Sequence, residues 1–128
     1  MGVPSASARL LALLEDGGPM RVGDLAHADH SSQPTATAGV RRLEAAGWVE
    51  RTADPRDARA SVVRLTRSGR AALERARRAR AAALEPVLED LTRRDPQARE
   101  RVVAAVAVLG DLLAIAGRPE GRALDHLI

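Results

Sequence analysis

The chain changes its periodicity between Trp48 and Leu65, and that change constrains the fold more than any other feature. Trp48 to Ala53 and Ala60 to Leu65 are short runs of strand type, rich in Val and Thr, while helical spacing holds on either side. Between them lie Asp54-Pro55-Arg56-Asp57-Ala58-Arg59, six residues that are strongly turn-forming and four of them charged. The segment predicts a β-hairpin with a charged tip, set among helices.

Upstream, Leu10, Leu11, Leu13 and Leu14 mark a helix from Ser5 to Glu15, with Ser5 or Ser7 as its cap and Gly17, Gly18 and Pro19 as its stop. Val22, Leu25 and Ala26 form the inward stripe of a second short helix, Val22 to Ala28, followed by a polar turn, Asp29 to Ser32. Ser32 is a good N-cap for a third helix, and Pro34 is tolerated in its first turn because the missing N–H is no loss there. Ala36, Val40 and Leu43 give this helix an inward face, and Gly47 suits a left-handed stop. Downstream, Thr66 can cap a long helix over Arg67 to Leu91, with Pro86 expected to kink it. A loop is expected over Thr92 to Asp95, then a last helix from Asp95-Pro96 to Ala116 with Val102, Val106, Leu109 and Leu113 as its apolar stripe. The tail from Gly117 holds Leu124, Leu127 and Ile128, which are free to dock on something.

Two helices joined by a polar turn and followed by a charged hairpin make a helix-turn-helix with a wing. The fold class is therefore mainly α with a small β-hairpin: a winged helix-turn-helix lobe over residues 1–66 and a C-terminal helical dimerisation region over 67–128. The two are expected to form one compact domain, which suits 128 residues.

Charge adds a direction to this reading. The net charge is only +3, and all 20 basic residues are Arg. Residues 41–70 hold Arg41, Arg42, Arg51, Arg56, Arg59, Arg64, Arg67 and Arg70 against Glu44, Glu50, Asp54 and Asp57, an excess of four positive charges, and the rest of the chain is close to balanced. A basic segment in a balanced chain points either to a polyanion partner or to a solvated Arg-rich face. Double-stranded DNA suits the arrangement, since a helix fits the major groove and its N-terminal residues meet base edges.

The outward face of the third helix presents Pro34, Ala38, Arg41 and Ala45, flanked by Thr37 and Arg42. Ser32, Gln33, Thr35 and Thr37 can bond base edges or phosphates, Pro34 can touch a thymine methyl, and the small Ala residues leave the helix slim. Arg41 is the candidate for a bidentate guanine contact, worth roughly 1–3 kcal/mol of discrimination. At the hairpin tip, Arg56 and Arg59 flank Asp57. A tip Arg suits a narrow minor groove, and Asp57 is expected to orient a guanidinium through a two-point salt bridge. A solvated helix face and a weak surface ion pair remain the plain alternatives.

The segments LA at 25–26, SQPT at 32–35, RRLEAAGWVER at 41–51, DPRDAR at 54–59 and VRLTRSG at 63–69 resemble the MarR (multiple-antibiotic-resistance-regulator) family of winged helix-turn-helix repressors, from roughly residue 10 to residue 113. The hairpin signature D-x-R followed by LT-x-x-G carries most of the likeness. The resemblance implies a homodimer on a pseudo-palindromic operator, with recognition helices in successive major grooves and wing arginines in the minor groove. By position it implies Asp57 and Arg59 as the wing pair, Gln33, Pro34, Thr35, Thr37, Arg41 and Arg42 on the DNA-facing helix, and the stripe Val102, Val106, Leu109 and Leu113 in the dimer interface. Members usually carry a further N-terminal helix in that interface. Here the chain starts close to the helix after it, so the interface is expected to be reduced or completed by the tail. Ser31 stands where the family prefers an apolar residue, and Ala58 where a second wing Arg is common.

Zero Cys excludes thiol redox sensing, and a single aromatic residue, Trp48, argues against a base-stacking platform. His27 and His30 are spaced for a metal but lack a supporting ligand cluster, so no metal and no cofactor are expected. No catalytic constellation is present and no enzyme activity is expected. An effector would be a small apolar ligand held between lobe and dimer helices by aliphatic walls. No apolar run approaches the ~18 residues of a membrane span, which predicts a soluble cytoplasmic protein. The competing readings are a winged-helix module that holds an acidic protein, and a ligand-binding protein without operator specificity.

Overall fold

In the computed structural model, which describes residues 2–116, the elements run α1 (Ser5–Gly17), α2 (Val22–Asp29), α3 (Gln33–Ala45), β1 (Val49–Asp54), β2 (Asp57–Leu65), α4 (Arg67–Arg94) and α5 (Ala98–Ala116). The expected tail residues Leu124, Leu127 and Ile128, with His126, lie outside the described residues. The described chain divides into two compact units, Met1–Ala81 and a second that begins at Ala82.

In the first unit, α1, α2 and α3 close over a core of Leu11, Leu25, Val40, Leu43 and Val63, all fully buried. Ala72 and Leu73 of α4 join it. Caps at the start and end of α3 match local chemistry. Ser32 Oγ accepts the N–H of Thr35 at 3.3 Å, and Gly47 takes a φ of +75° after the helix. Helix α1 differs from expectation: Pro4 precedes it, no side chain caps it, and Ser7 is buried instead. Helix α2 ends on His30, a non-glycine residue at φ 55°, whose turn is closed by Ser31 N–H donating to the Ala26 carbonyl at 3.0 Å.

The hairpin is more tightly turned than expected. Its strands pair from Val49 with Leu65 to Ala53 with Ser61, then the register shifts and Asp54 pairs with Asp57. Only Pro55 and Arg56 remain as the turn, so Asp57, Ala58 and Arg59 belong to strand β2 and not to a six-residue tip. The reason is that two carboxylates replace loop with fixed geometry: Asp54 accepts the N–H of Arg56 at 2.9 Å and Asp57 that of Arg59 at 3.0 Å. Met20 also pairs with Val63, which gives β2 a neighbour along its second edge.

Thr66 caps α4 as expected, accepting the Gly69 N–H at 3.0 Å while its hydroxyl donates to the Gly47 carbonyl at 2.7 Å. Helix α4 continues past Leu91, so Thr92 to Arg94 are helical and not loop. Thr92 Oγ1 donates back to the Leu88 carbonyl at 2.7 Å, and Arg93 and Arg94 both reach Asp90 at 3.1 Å. In the second unit, Arg99 donates to Glu85 and Arg101 to Asp95, at 2.7 and 2.8 Å. Its apolar residues find little cover: Val106, Leu109 and Leu113 are 63%, 59% and 74% exposed, and Leu84, Val87 and Ile115 are exposed as well.

Among the described residues, one buried side-chain atom has no hydrogen-bond partner. Ser31 Oγ, in the turn between α2 and α3, makes no hydrogen bond. A buried hydroxyl left unbonded costs about 1–3 kcal/mol. Ser31→Ala is therefore expected to raise the thermal midpoint by a few degrees, read by calorimetry; a lower midpoint would show that the hydroxyl is satisfied in solution.

Candidate nucleic-acid interface

Helix α3 buries Ala36, Gly39, Val40 and Leu43 and turns its polar side chains outward. Gln33, Pro34, Thr35, Ala38, Arg41 and Arg42 are exposed, and Thr37 is half-buried at the edge of the face. Ser32 is exposed too, but its hydroxyl is engaged in the cap and lies 2.8 Å from Thr35 Oγ1. The face is thus narrow, flanked by hydroxyl and amide groups near its N-terminus and by two guanidinium groups further along. Gly39 explains how closely α3 lies on α1, since a Cβ there would stand 2.7 Å from Leu10 Cδ1.

The wing arranges its charges differently from the expected two-point bridge. Arg59 approaches Asp57 no closer than 3.7 Å, from Nε to Oδ1, without a side-chain hydrogen bond, and its side chain is 96% exposed. Asp57 serves the backbone of the strand more than the guanidinium. A stronger pair stands next to it: Arg21 Nε donates to Asp54 Oδ2 at 2.7 Å, and Asp54 is buried. The Arg56 N–H and the Arg21 guanidinium hold the Asp54 carboxyl below the usual carboxylate range, and Asp54 in turn raises Arg21. Sequence spacing does not reveal this pair, because its members are separated by 33 positions.

Ion pairs decide which charges of residues 41–70 stay free. Glu44 takes Arg51 at 2.7 Å, Glu50 takes Arg64 at 2.7 Å, Asp54 takes Arg21 and Asp57 approaches Arg59. All four carboxylates are engaged. Among the described residues, Arg41, Arg42, Arg56, Arg67 and Arg70 form no ion pair. The positive excess therefore lies on the outward face of α3, at the wing turn and at the start of α4. An open cavity of about 680 Å³ beside the wing is lined by Arg21, Asp24, Thr52, Asp54, Arg56 and Arg64, among others. Among the described residues, no three His, Asp or Glu side chains gather as a metal site, and no helix is long and apolar enough to cross a membrane.

The MarR family pattern matches residues 3–61, which contain α1 to α3 and the wing turn. The solved structure of a probable transcriptional regulator from Pseudomonas aeruginosa is 32% identical over 77% of this chain and 78% of that one, with a TM-score of 0.57. The chain belongs to the MarR family. Its fold is that of a MarR-family transcriptional regulator, a winged helix carried by a mainly helical chain. The YusO protein of Bacillus subtilis, 26% identical, covers 82% of this chain and 74% of its own with a TM-score of 0.71. BpsR of Bordetella bronchiseptica, whose DNA binding is regulated by 6-hydroxynicotinic acid, is 26% identical over 85% of this chain and 76% of its own, with a TM-score of 0.54. Curated protein sequences yield no match.

Proposed function

We propose that this MarR-family chain is a sequence-specific double-stranded DNA-binding repressor, acting in the cytoplasm as a homodimer on a pseudo-palindromic operator. The observation that carries the reading is that, among the described residues, five arginines of the segment 41–70 form no ion pair: Arg41, Arg42, Arg56, Arg67 and Arg70, distributed over a slim helix face, the wing turn and the start of α4. The four carboxylates of the segment are engaged by other arginines, so among the described residues these five keep their charge available to a polyanion. Residues Ser32, Gln33, Pro34, Thr35, Thr37, Ala38, Arg41 and Arg42 read the major groove in this proposal, and Arg56, Asp57 and Arg59 form the minor-groove contact. Residues 1–66 hold DNA and 67–128 join the second chain through Val102, Val106, Leu109 and Leu113. The exposure of Val106, Leu109 and Leu113 supports the assignment, while Val102 is half-buried. The regulation of BpsR by a small aromatic acid supports an effector-released repressor, here with a small apolar ligand and aliphatic walls. The protein acts by binding and carries out no chemistry.

Titration of a promoter-proximal duplex by anisotropy at several salt concentrations tests the reading. Log affinity should fall linearly with log salt, with a slope of about −4.5 for each protomer that releases counterions at five arginines. A flat slope would favour a module that holds protein instead of DNA. Arg59→Ala is expected to weaken the same duplex roughly tenfold, as a lost groove contact would. Because the side chain is almost wholly exposed, the thermal midpoint should stay where it is; a large fall in midpoint would make Arg59 structural.

A further inference from the structure

The segment joining α1 to α2 braces the wing at two points. Met20 and Val63 exchange backbone hydrogen bonds of 3.1 and 2.8 Å along the outer edge of β2. One residue further, at the N-cap position of α2, Arg21 holds Asp54 Oδ2 at 2.7 Å. The other oxygen of Asp54 accepts the Arg56 N–H at 2.9 Å. Asp54 is only 8% exposed and stands where the hairpin register shifts, immediately before the turn. Its carboxylate is thus gripped from one side by the helix-turn-helix and grips the wing turn with the other. Helix α2 packs on α3, so a single side chain, Arg21, ties the recognition-helix pair to the hairpin turn.

We propose that Arg21 is a positioning residue: through Asp54 it fixes the backbone at Arg56, and so sets where the Arg56 guanidinium stands relative to α3 when both meet DNA. The inference rests on the DNA-binding reading given above. Physical bookkeeping favours it over a plain surface pair. Exposed ion pairs change little when broken. Here loss of Arg21 leaves a buried carboxylate with one donor, and the turn must move to rehydrate it. The Met20–Val63 bridge survives that loss, so the effect stays local to the turn.

Two readouts decide the point. In the free protein, Arg21→Ala is expected to speed amide hydrogen exchange at Arg56 roughly tenfold, as local opening becomes easier, and to leave Leu25 and Val40 unchanged. For DNA, the probe is the tightest duplex that the wild-type chain selects from a randomised library. Arg21→Ala should weaken that duplex about tenfold, and less than about twofold when Arg56 is already Ala, since coupled residues are not additive. Equal losses in both backgrounds would mean that Arg21 contacts DNA itself, and unchanged exchange at Arg56 would also overturn the positioning role. Selection of no duplex would remove the DNA-binding reading, while the exchange measurement would still decide whether Arg21 braces the turn.

Discussion

Leu109→Asp combined with Leu113→Asp is expected to leave a monomer that binds a two-half-site duplex at least about a hundredfold more weakly, because the second half-site is lost as an intramolecular contact. Both leucines lie on one face of α5 with Val102 and Val106, and both are exposed among the described residues. Burial of a leucine contributes about 1.5–3 kcal/mol, and an unpaired carboxylate in the same place reverses the sign. The first unit has its own core and should melt as before, which separates dissociation from unfolding. Sedimentation at micromolar concentration reads the first effect, and anisotropy with the duplex reads the second. A variant that stays dimeric would place the interface elsewhere on the chain.

Gly69→Ala is expected to lower the stability of the first unit by about 1–3 kcal/mol, the usual cost of forcing an extra methyl into a close-packed site. A Cβ on Gly69 would overlap the Trp48 carbonyl oxygen, stand 2.9 Å from the carbonyl carbon and press on Leu65 Cδ2 at 3.1 Å. The obstacle is backbone, so no rotamer change relieves it. That same Trp48 carbonyl accepts the Thr66 N–H at 3.1 Å, so the first turn of α4 is anchored to the chain between α3 and β1. Gly23→Ala is the control. Its Cβ meets only Gln33 Oε1 at 3.7 Å, an ordinary contact with a flexible side chain, and a helical Ala should stabilise by about 0.5–1 kcal/mol. Chemical denaturation of the two variants should move the midpoint in opposite directions. Equal midpoints would show that α4 adjusts without cost.

The parts of the fold legible in the sequence are those whose chemistry is local. Ser32, Pro34, Gly47 and Thr66 each punctuate a helix with a side chain or backbone preference that needs only its neighbours, and each stands where expected. Local reading failed where a distant or competing partner decides. Ser7 caps nothing because packing buries it. The polar run Thr92 to Arg94 is helical because Leu88 and Asp90, one turn earlier, receive its donors. The wing turn shortens because Asp54 and Asp57 bond backbone N–H groups, and Asp54 is held in place by Arg21. The basic segment was legible as a sum of charges. Which of its arginines stand unpaired depends on strand register and on helix-to-strand contacts such as Glu44 with Arg51, and only the folded chain resolves that.

If α3 and the wing read bases, this chain must distinguish one DNA sequence from another. The most direct test is the ratio of affinities for a promoter-proximal duplex and a scrambled duplex of equal length at one physiological salt concentration. A ratio of at least about 10³ is expected, the lower end for specific protein–DNA recognition. Equal affinity for the two duplexes would contradict base reading by α3 and the wing.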